Sequence, residues 1–371
     1  MPTPIFGARE GFTIDSVLSI LDATVLNPWF TGVCLIAVCA RDRTITYPDW
    51  PAALDQVLPF LSQMWRETVR PTFGDRNVLH LLTTVCVGLA IRTNRRMSRG
   101  ARNNWVWDTS YDWKKEIVVV TGGAAGFGAD IVQQLDTRGI QVVVLDVGSL
   151  TYRPSSRVHY YKCDVSNPQD VASVAKAIVS NVGHPTILVN NAGVFRGATI
   201  LSTTPRDLDM TYDINVKAHY HLTKAFLPNM ISKNHGHIVT VSSATAYAQA
   251  CSGVSYCSSK AAILSFHEGL SEEILWIYKA PKVRTSVICP GHVNTAMFTG
   301  IGAAAPSFMA PALHPSTVAE TIVDVLLSCE SQHVLMPAAM HMSVAGRALP
   351  TWFFRGLLAS GKDTMGSVVR R

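Results

Sequence analysis

A doubly wound α/β domain on a parallel sheet is the fold class this sequence predicts, and three observations predict it. The apolar, β-branched run Ile117-Val118-Val119-Val120 leads into a glycine-rich turn. Ala129, Ile131, Val132 and Leu135 then recur at helical spacing, and a second apolar run, Val142-Val143-Val144-Leu145, closes on Asp146. A short apolar run bounded by glycines reads as a buried strand, and apolar positions three and four apart read as one helix face. Strand, turn, helix, strand is the repeating unit of such a sheet.

The turn itself, Thr121-Gly122-Gly123-Ala124-Ala125-Gly126-Phe127-Gly128, joins strand to helix. That arrangement offers unpaired backbone N–H groups and the positive end of a helix to a phosphate. Its glycines Gly122, Gly126 and Gly128 are spaced G-x-x-x-G-x-G, so the G-x-G-x-x-G dinucleotide pattern is absent. A plain strand-to-helix turn is the alternative. Asp146 weighs against it, because a carboxylate about twenty residues on accepts from the adenosine ribose hydroxyls.

Further along, Tyr256-Cys257-Ser258-Ser259-Lys260 reads as the start of a helix. Residues four apart share a helical face, which sets Lys260 over Tyr256. A free tyrosine, with a pKa of about 10, is a poor base at neutral pH. A nearby cation favours the phenolate, so the spacing predicts a lowered pKa and a tyrosine suited to proton transfer. A surface pair on a helix is the bland alternative for this motif alone.

Taken together, these residues resemble the short-chain dehydrogenase/reductase family over roughly residues 115–300. The Thr-Gly-x-x-x-Gly-x-Gly loop matches at 121–128, and Asp164-Val165 matches the pair that borders the adenine. Asn190-Asn191-Ala192-Gly193 matches the family's Asn-Asn-Ala-Gly, and Asn215 falls at the position of its structural and catalytic asparagine. Ser243 precedes Tyr256 by the thirteen residues usual for the catalytic serine, and Pro290-Gly291 with Val293 and Thr295 match the segment closing over the nicotinamide. The resemblance implies a Rossmann-type fold. It implies a catalytic set of Asn215, Ser243, Tyr256 and Lys260, with Ser242 the rival of Ser243. Lys260 would also bind the nicotinamide ribose, and Asn215 would bend its helix and hold a relay water. Cofactor contacts would come from Gly122, Gly126, Phe127, Gly128, Asp146, Asp164, Val165, Asn191, Ala192, Gly193, Tyr256, Lys260, Pro290, Gly291, Val293 and Thr295.

Cofactor choice follows charge. A carboxylate repels a 2′-phosphate and accepts from a free ribose hydroxyl. Asp146 is followed by Val147 and Gly148, and Ala124 and Ala125 stand in the loop where a cation would serve NADP. NAD is therefore expected, with NADP the alternative through Arg153, the nearest downstream cation.

At 371 residues the chain exceeds one such domain. Residues 1–112 are read as an extension, 113–330 as the catalytic domain and 331–371 as an apolar segment shaping the pocket or touching a membrane. The eight cysteines contain no C-x-x-C pair, which argues against a zinc site or disulfide framework. Cys163, Cys289 and Cys329 are expected in the core. Ahead of the domain, Val17 to Ala40 and Asn77 to Ile91 are apolar, and Arg92, Arg95, Arg96, Arg99 and Arg102 follow with no acid among them. Arginines beside an apolar stretch mark the cytoplasmic side and attract anionic headgroups. The lack of interleaved aromatics argues against nucleic-acid binding. The layout resembles the microsomal and lipid-droplet retinol and 17-beta-hydroxysteroid dehydrogenases, as does the closing Lys362 to Val368 segment except at its aromatic position.

The combined expectation is an NAD-dependent interconversion of hydroxyl and carbonyl on an apolar alcohol or ketone: a retinoid, steroid or long-chain alcohol. The protein would sit on the endoplasmic reticulum membrane or a lipid droplet, with its catalytic domain facing the cytosol. The resemblance also allows a homodimer. A reductase of a specialised metabolite is a second hypothesis, and a catalytically silent lipid-droplet or cofactor-binding protein a third. The intact Asn215, Ser243, Tyr256 and Lys260 weigh against silence.

Overall fold

The computed structural model describes residues 9–11, 13–41, 76–295, 297 and 311–360. Strands β1 (Ile117–Thr121), β2 (Gln141–Asp146), β3 (Val158–Lys162), β4 (Ile187–Asn190), β5 (Gly236–Val241), β6 (Val283–Pro290) and β7 (His333–Met336) form one parallel sheet. The strand order is β3-β2-β1-β4-β5-β6-β7, so the doubly wound expectation holds. Side chains alternate between the two faces of a strand. Val118 and Val120 accordingly pack on one side and Val119 on the other. Burial on both faces explains why β1 is apolar at every position but its last.

On the first face lie helices α4 (Gly126–Thr137) and α9 (Pro315–Leu327), which contribute Ile131, Val132, Leu135, Ile322 and Leu326. On the second lie α5 (Pro168–Asn181) and α7 (Ala218–Lys233), with Val171, Ile178, Leu222, Phe226 and Met230. Proline opens α5, α9 and the short α6 (Pro205–Tyr212), at the position whose N–H a helix leaves unpaired. Asn167, Thr204 and His314 cap those helices by accepting from first-turn amides. Cys163 and Cys289 are buried as expected. Cys329 is only partly buried, because it sits in a left-handed turn, at φ +57°, just past α9.

Residues Ser16–Ser98 form a separate compact unit, whereas residues 9–11 and 13–15 pack with the larger one. The smaller unit holds most of α1 (Ile14–Ala23), α2 (Pro28–Arg41) and the greater part of α3 (Arg76–Arg102). Asn27 and Pro28 break the first apolar stretch, the Asn27 carboxamide accepting from Trp29 N at 3.1 Å. Leu18, Ile20, Trp29, Phe30, Val33 and Leu89 are exposed. Among the described residues no single helix is long and apolar enough to cross a membrane; the pair Ile14–Ala23 and Pro28–Leu35 meets that test only together, bent by 52°. The arginine cluster proves partly neutralised: Arg95 pairs with Asp22 within this unit, and in the larger unit Arg99 pairs with Glu330. Both carboxylates lie far off in sequence, so spacing alone showed the arginines as unopposed.

In the larger unit the link from α3 to β1 is tied down by buried polar groups. Arg284 on β6, 1% exposed, donates to Asn103 O and Val106 O. His235 stands between Asp108 at 3.3 Å and Glu116 at 3.2 Å, with both carboxylates nearly inaccessible. The hydrogen bond to Glu116 is the main influence raising the His235 pKa. A group whose folded pKa is raised stabilises fully below its unfolded value, about 6.5, and loses that effect as pH rises through the folded value. His219 and His237 act oppositely: burial holds both neutral down to about 3, so their effect is lost as pH falls below about 6.5. His235→Gln should therefore cost about 2 kcal/mol at pH 6 and clearly less at pH 8.5, as read by urea unfolding at both values. An equal loss at the two pH values would remove the protonated clamp.

Candidate active site

In a doubly wound sheet, ligands bind beyond the carboxyl ends of the strands where the winding reverses. Here that point lies between β1 and β4, which pair through Val118–Ile187 and Val120–Val189. The two strand ends are locked together. Thr121 Oγ1 accepts from Asn191 N and Ala192 N, each at 3.0 Å. Asn191 Nδ2 donates back to Thr121 O at 2.8 Å and Gly122 O at 3.2 Å.

The glycines meet separate demands. Gly122 has φ +66°, and a Cβ there would approach Ala192 Cα to 3.0 Å. A Cβ on Gly128 would lie 2.1 Å from Gly122 O and 2.6 Å from Asn191 Nδ2, so only glycine allows α4 to start this close. At Gly126 a Cβ would meet nothing within 4 Å, which leaves open space above the start of the helix. Phe127 packs partly buried against the first core. Asp146, at the end of β2, accepts from Ala124 N and Gly148 N, each at 2.9 Å. Asp164 accepts from the Ser166 amide and hydroxyl, and Val165 is buried beside it.

The second group gathers on α8 (Val254–Glu272) and its neighbours, with Ser243, Tyr256 and Lys260 5%, 6% and 4% exposed. The Ser243 hydroxyl hydrogen-bonds the Tyr256 phenol and also lies 3.3 Å from Pro290 O. Ser242 turns away, donating to Lys260 O at 2.9 Å. Lys260 Nζ stands 5.6 Å from the centre of the Tyr256 ring and donates to Val241 O at 3.0 Å. The expected lowering of the tyrosine is not what this arrangement produces. Burial pushes the Tyr256 pKa up, with the Ser243 bond working against the rise. Burial also brings Lys260 down to about 8. Helical spacing brings the two groups together but carries no information about desolvation, which opposes charge on both.

Asn215 is fully buried in a π-helical turn, Asp213–Lys217, between α6 and α7. Its Oδ1 accepts from Val194 N at 2.8 Å, and its Nδ2 donates to Val194 O and Ser259 Oγ. The π-helical turn interrupts the α-helical pattern at this residue. Gly193, just past β4, faces both groups: a Cβ there would lie at ordinary contact distance, 3.4 Å from Asn215 Oδ1 and 3.6 Å from Lys260 Nζ. The Pro290–Thr295 segment completes the wall. Gly291 N donates to Met336 O at 2.7 Å, Val293 bridges to Leu313, and Thr295 N donates to Val293 O.

The arrangement fits a dinucleotide on its own features. Open space lies above Gly126 at the positive end of α4, and the Asn191 Oδ1 and Asn190 side-chain atoms are buried without a hydrogen-bond partner among the described residues. A carboxylate stands at the end of β2, and the ammonium of Lys260 lies beneath Gly193.

Residues 116–305 match the short chain dehydrogenase family. The chain belongs to that family, and its chemistry is the interconversion of a hydroxyl and a carbonyl with a nicotinamide cofactor. Dehydrogenase RED2 of Cochliobolus heterostrophus is 39% identical over 56% of this chain and 78% of its own length. Human epidermal retinol dehydrogenase 2 is 33% identical over 61% of this chain and 75% of its own. Mouse estradiol 17-beta-dehydrogenase 11 is 33% identical over 65% and 82%. These relatives bear out the branch to which the layout was likened. Among solved structures, the ligand-free aldohexose dehydrogenase of Thermoplasma acidophilum shares the fold with a TM-score of 0.54 at 22% identity, over 62% of this chain and 96% of that one.

Three supporting residues escaped the sequence reading. Phe195 packs edge-on against Tyr256, with ring centres 5.2 Å apart. Ser259 accepts from Asn215, and Thr121 links the two strand ends. Thr121 and Ser259 lie inside the matched motifs, where a hydroxyl at a buried position was the available signal. The Lys362 to Val368 segment lies outside the described residues.

Proposed function

We propose that this chain is an NAD(H)-dependent dehydrogenase/reductase acting on an apolar alcohol or ketone, with Tyr256 as its general acid and base. The buried contact of Ser243 with Tyr256, one helical turn from Lys260, carries the reading. Gly122, Gly126, Phe127, Gly128, Asn191, Ala192 and Gly193 would hold the pyrophosphate and its flanks. Asp146 would hold the adenosine ribose, and Asp164 and Val165 would border the adenine. Lys260 would hold the nicotinamide ribose, with Pro290, Gly291, Val293 and Thr295 against the ring. Bound there, the nicotinamide supplies hydride exchange. The protein's own part is the proton. Ser243 holds the substrate oxygen, since a hydroxyl both donates and accepts, and Tyr256 gives or takes its proton. Asn215, in its π-helical turn, holds Val194 and Ser259 around this group.

A phenol held protonated by burial suits proton donation to a carbonyl; oxidation requires it deprotonated. Turnover in the oxidative direction should therefore rise with pH, while reduction falls. Tyr256→Phe should lower turnover by about 10²–10⁴-fold and flatten both profiles while NADH binding persists. A panel of retinoid, steroid and long-chain alcohols, followed by NADH absorbance, provides the assay. Activity of Tyr256→Phe within a few-fold of the parent would exclude this mechanism.

The preference for NAD rests on Asp146, whose carboxylate lies against the glycine loop and so faces the ribose position. Thr151 and Tyr152 fold back on Ala124 and Gly123, so Arg153 follows directly and is the rival influence. Asp146→Ala should lower kcat/KM for NAD by about tenfold and narrow the margin over NADP. A parent enzyme already faster with NADP would assign the pocket to Arg153.

An apolar substrate and the exposed Leu18, Trp29, Phe30 and Val33 together favour attachment at a lipid surface, on the endoplasmic reticulum or a lipid droplet. Each large apolar side chain buried in lipid contributes about 1.5–3 kcal/mol. The full chain should float with anionic vesicles, and a Trp29→Glu/Phe30→Glu chain should not, with activity on a soluble alcohol unchanged. A parent chain that stays in the soluble fraction would remove the attachment.

A further inference from the structure

Residues 9–11 and 13–15 precede the smaller unit in sequence yet pack with the catalytic one, gripping it at two places. Glu10 Oε1 accepts from His314 N at 2.9 Å and from Thr317 Oγ1 at 2.7 Å, at the start of α9. Beside it Arg9 makes a two-pronged pair with Glu320, each arm 2.7 Å. Asp15 Oδ1 then accepts from Ala338 N at 2.8 Å, on the 3-10 turn Ala338–Met340. Between the two grips Thr13 is buried, 2% exposed.

Both grips fall on the supports of the Pro290–Thr295 segment. On one side Leu313, the neighbour of His314, donates to His292 O at 2.8 Å and accepts from Asn294 N at 3.0 Å. On the other, Gly291 N donates to Met336 O, and a Cβ on Gly291 would approach Pro337 Cδ to 3.3 Å and Met340 Sδ to 3.7 Å. The segment is thus set between two supports, one held by Glu10 and the other by Asp15. The glycine loop, Asp146 and Asp164 have no part in these contacts.

We infer that residues 9–11 and 13–15 form a strap that positions the nicotinamide end of the cofactor site, with Glu10 and Asp15 as its positioning residues. The inference rests on the cofactor placement given above. It makes the extreme front of the chain part of the working enzyme, although every matched motif begins beyond residue 115. A strap that spans both supports limits their relative movement, and a carboxylate that accepts from a backbone N–H makes a stronger, charge-assisted bond. Loss of either grip loosens one wall of the nicotinamide pocket and leaves the adenosine half as it was.

The test uses the full chain and two probes. NADH, read by its own fluorescence, requires the whole site; ADP-ribose, read by calorimetry, requires only the adenosine half. Glu10→Ala and Asp15→Ala should each weaken NADH about three- to tenfold while ADP-ribose stays within about twofold. Glu10→Gln and Asp15→Asn keep an acceptor oxygen and should recover most of the NADH affinity, which also separates positioning from misfolding. Unchanged NADH binding in folded alanine variants would overturn the strap, as would equal weakening of both probes. A parent chain that binds neither probe would defeat the cofactor placement, and the strap with it; a parent that binds both while the variants fail to discriminate defeats the strap alone.

Discussion

The close approach of the glycine loop to the end of β4 is the constraint on which the rest of the site depends. A Cβ on Gly128 would sit 2.1 Å from Gly122 O, so α4 starts as near to β1 as a backbone permits. Asn191 fills the remaining gap and uses its amide to join Thr121 and Gly122 to the β4 end. With β1 and β4 held at that distance, the start of α4 points its free N–H groups into the crevice where the winding reverses. Just past β4, Gly193 lies at ordinary contact distance from Asn215 and Lys260. Short side chains thereby set both the glycine loop and the neighbourhood of Asn215 and Lys260.

Desolvation governs the chemistry of the second group. Tyr256, Ser243 and Lys260 are nearly inaccessible, and burial disfavours the phenolate and the ammonium alike. Proximity to Lys260 therefore does not make Tyr256 an acid of low pKa by itself. The hydrogen bond between Ser243 and Tyr256 is the contact that opposes the rise. In a site of this kind the protonated tyrosine is the resting form, and charge placed beside it when ligands bind has a large effect because little water screens it.

Two further parts of the molecule serve the site from a distance. The buried Arg284 and the Asp108, Glu116 and His235 cluster fasten the approach to β1, the interior strand from which the sheet winds in both directions. Glu10 and Asp15 hold the supports of the Pro290–Thr295 segment from the other side. Neither has a local sequence signal. Each depends on partners between about 100 and 320 positions away in the chain, and a carboxylate at an irregular position reads only as solvated charge.

By itself the sequence determined the sheet, its winding and the identity of the matched residues. Those features follow from local periods: apolar runs of strand length, glycines where φ is positive or a Cβ would clash, and a tyrosine and lysine four apart on one helix. The branch of the family was legible as well, in the order of apolar stretch, arginines and matched motifs. Tertiary structure alone decided how charge is settled. It assigned Asp22 to Arg95 and Glu330 to Arg99, and raised Tyr256 where spacing had suggested lowering. The reason is physical. Periodicity records which face of an element is buried, whereas a pKa or an ion pair depends on solvent exclusion and on partners that only folding brings within a few ångströms.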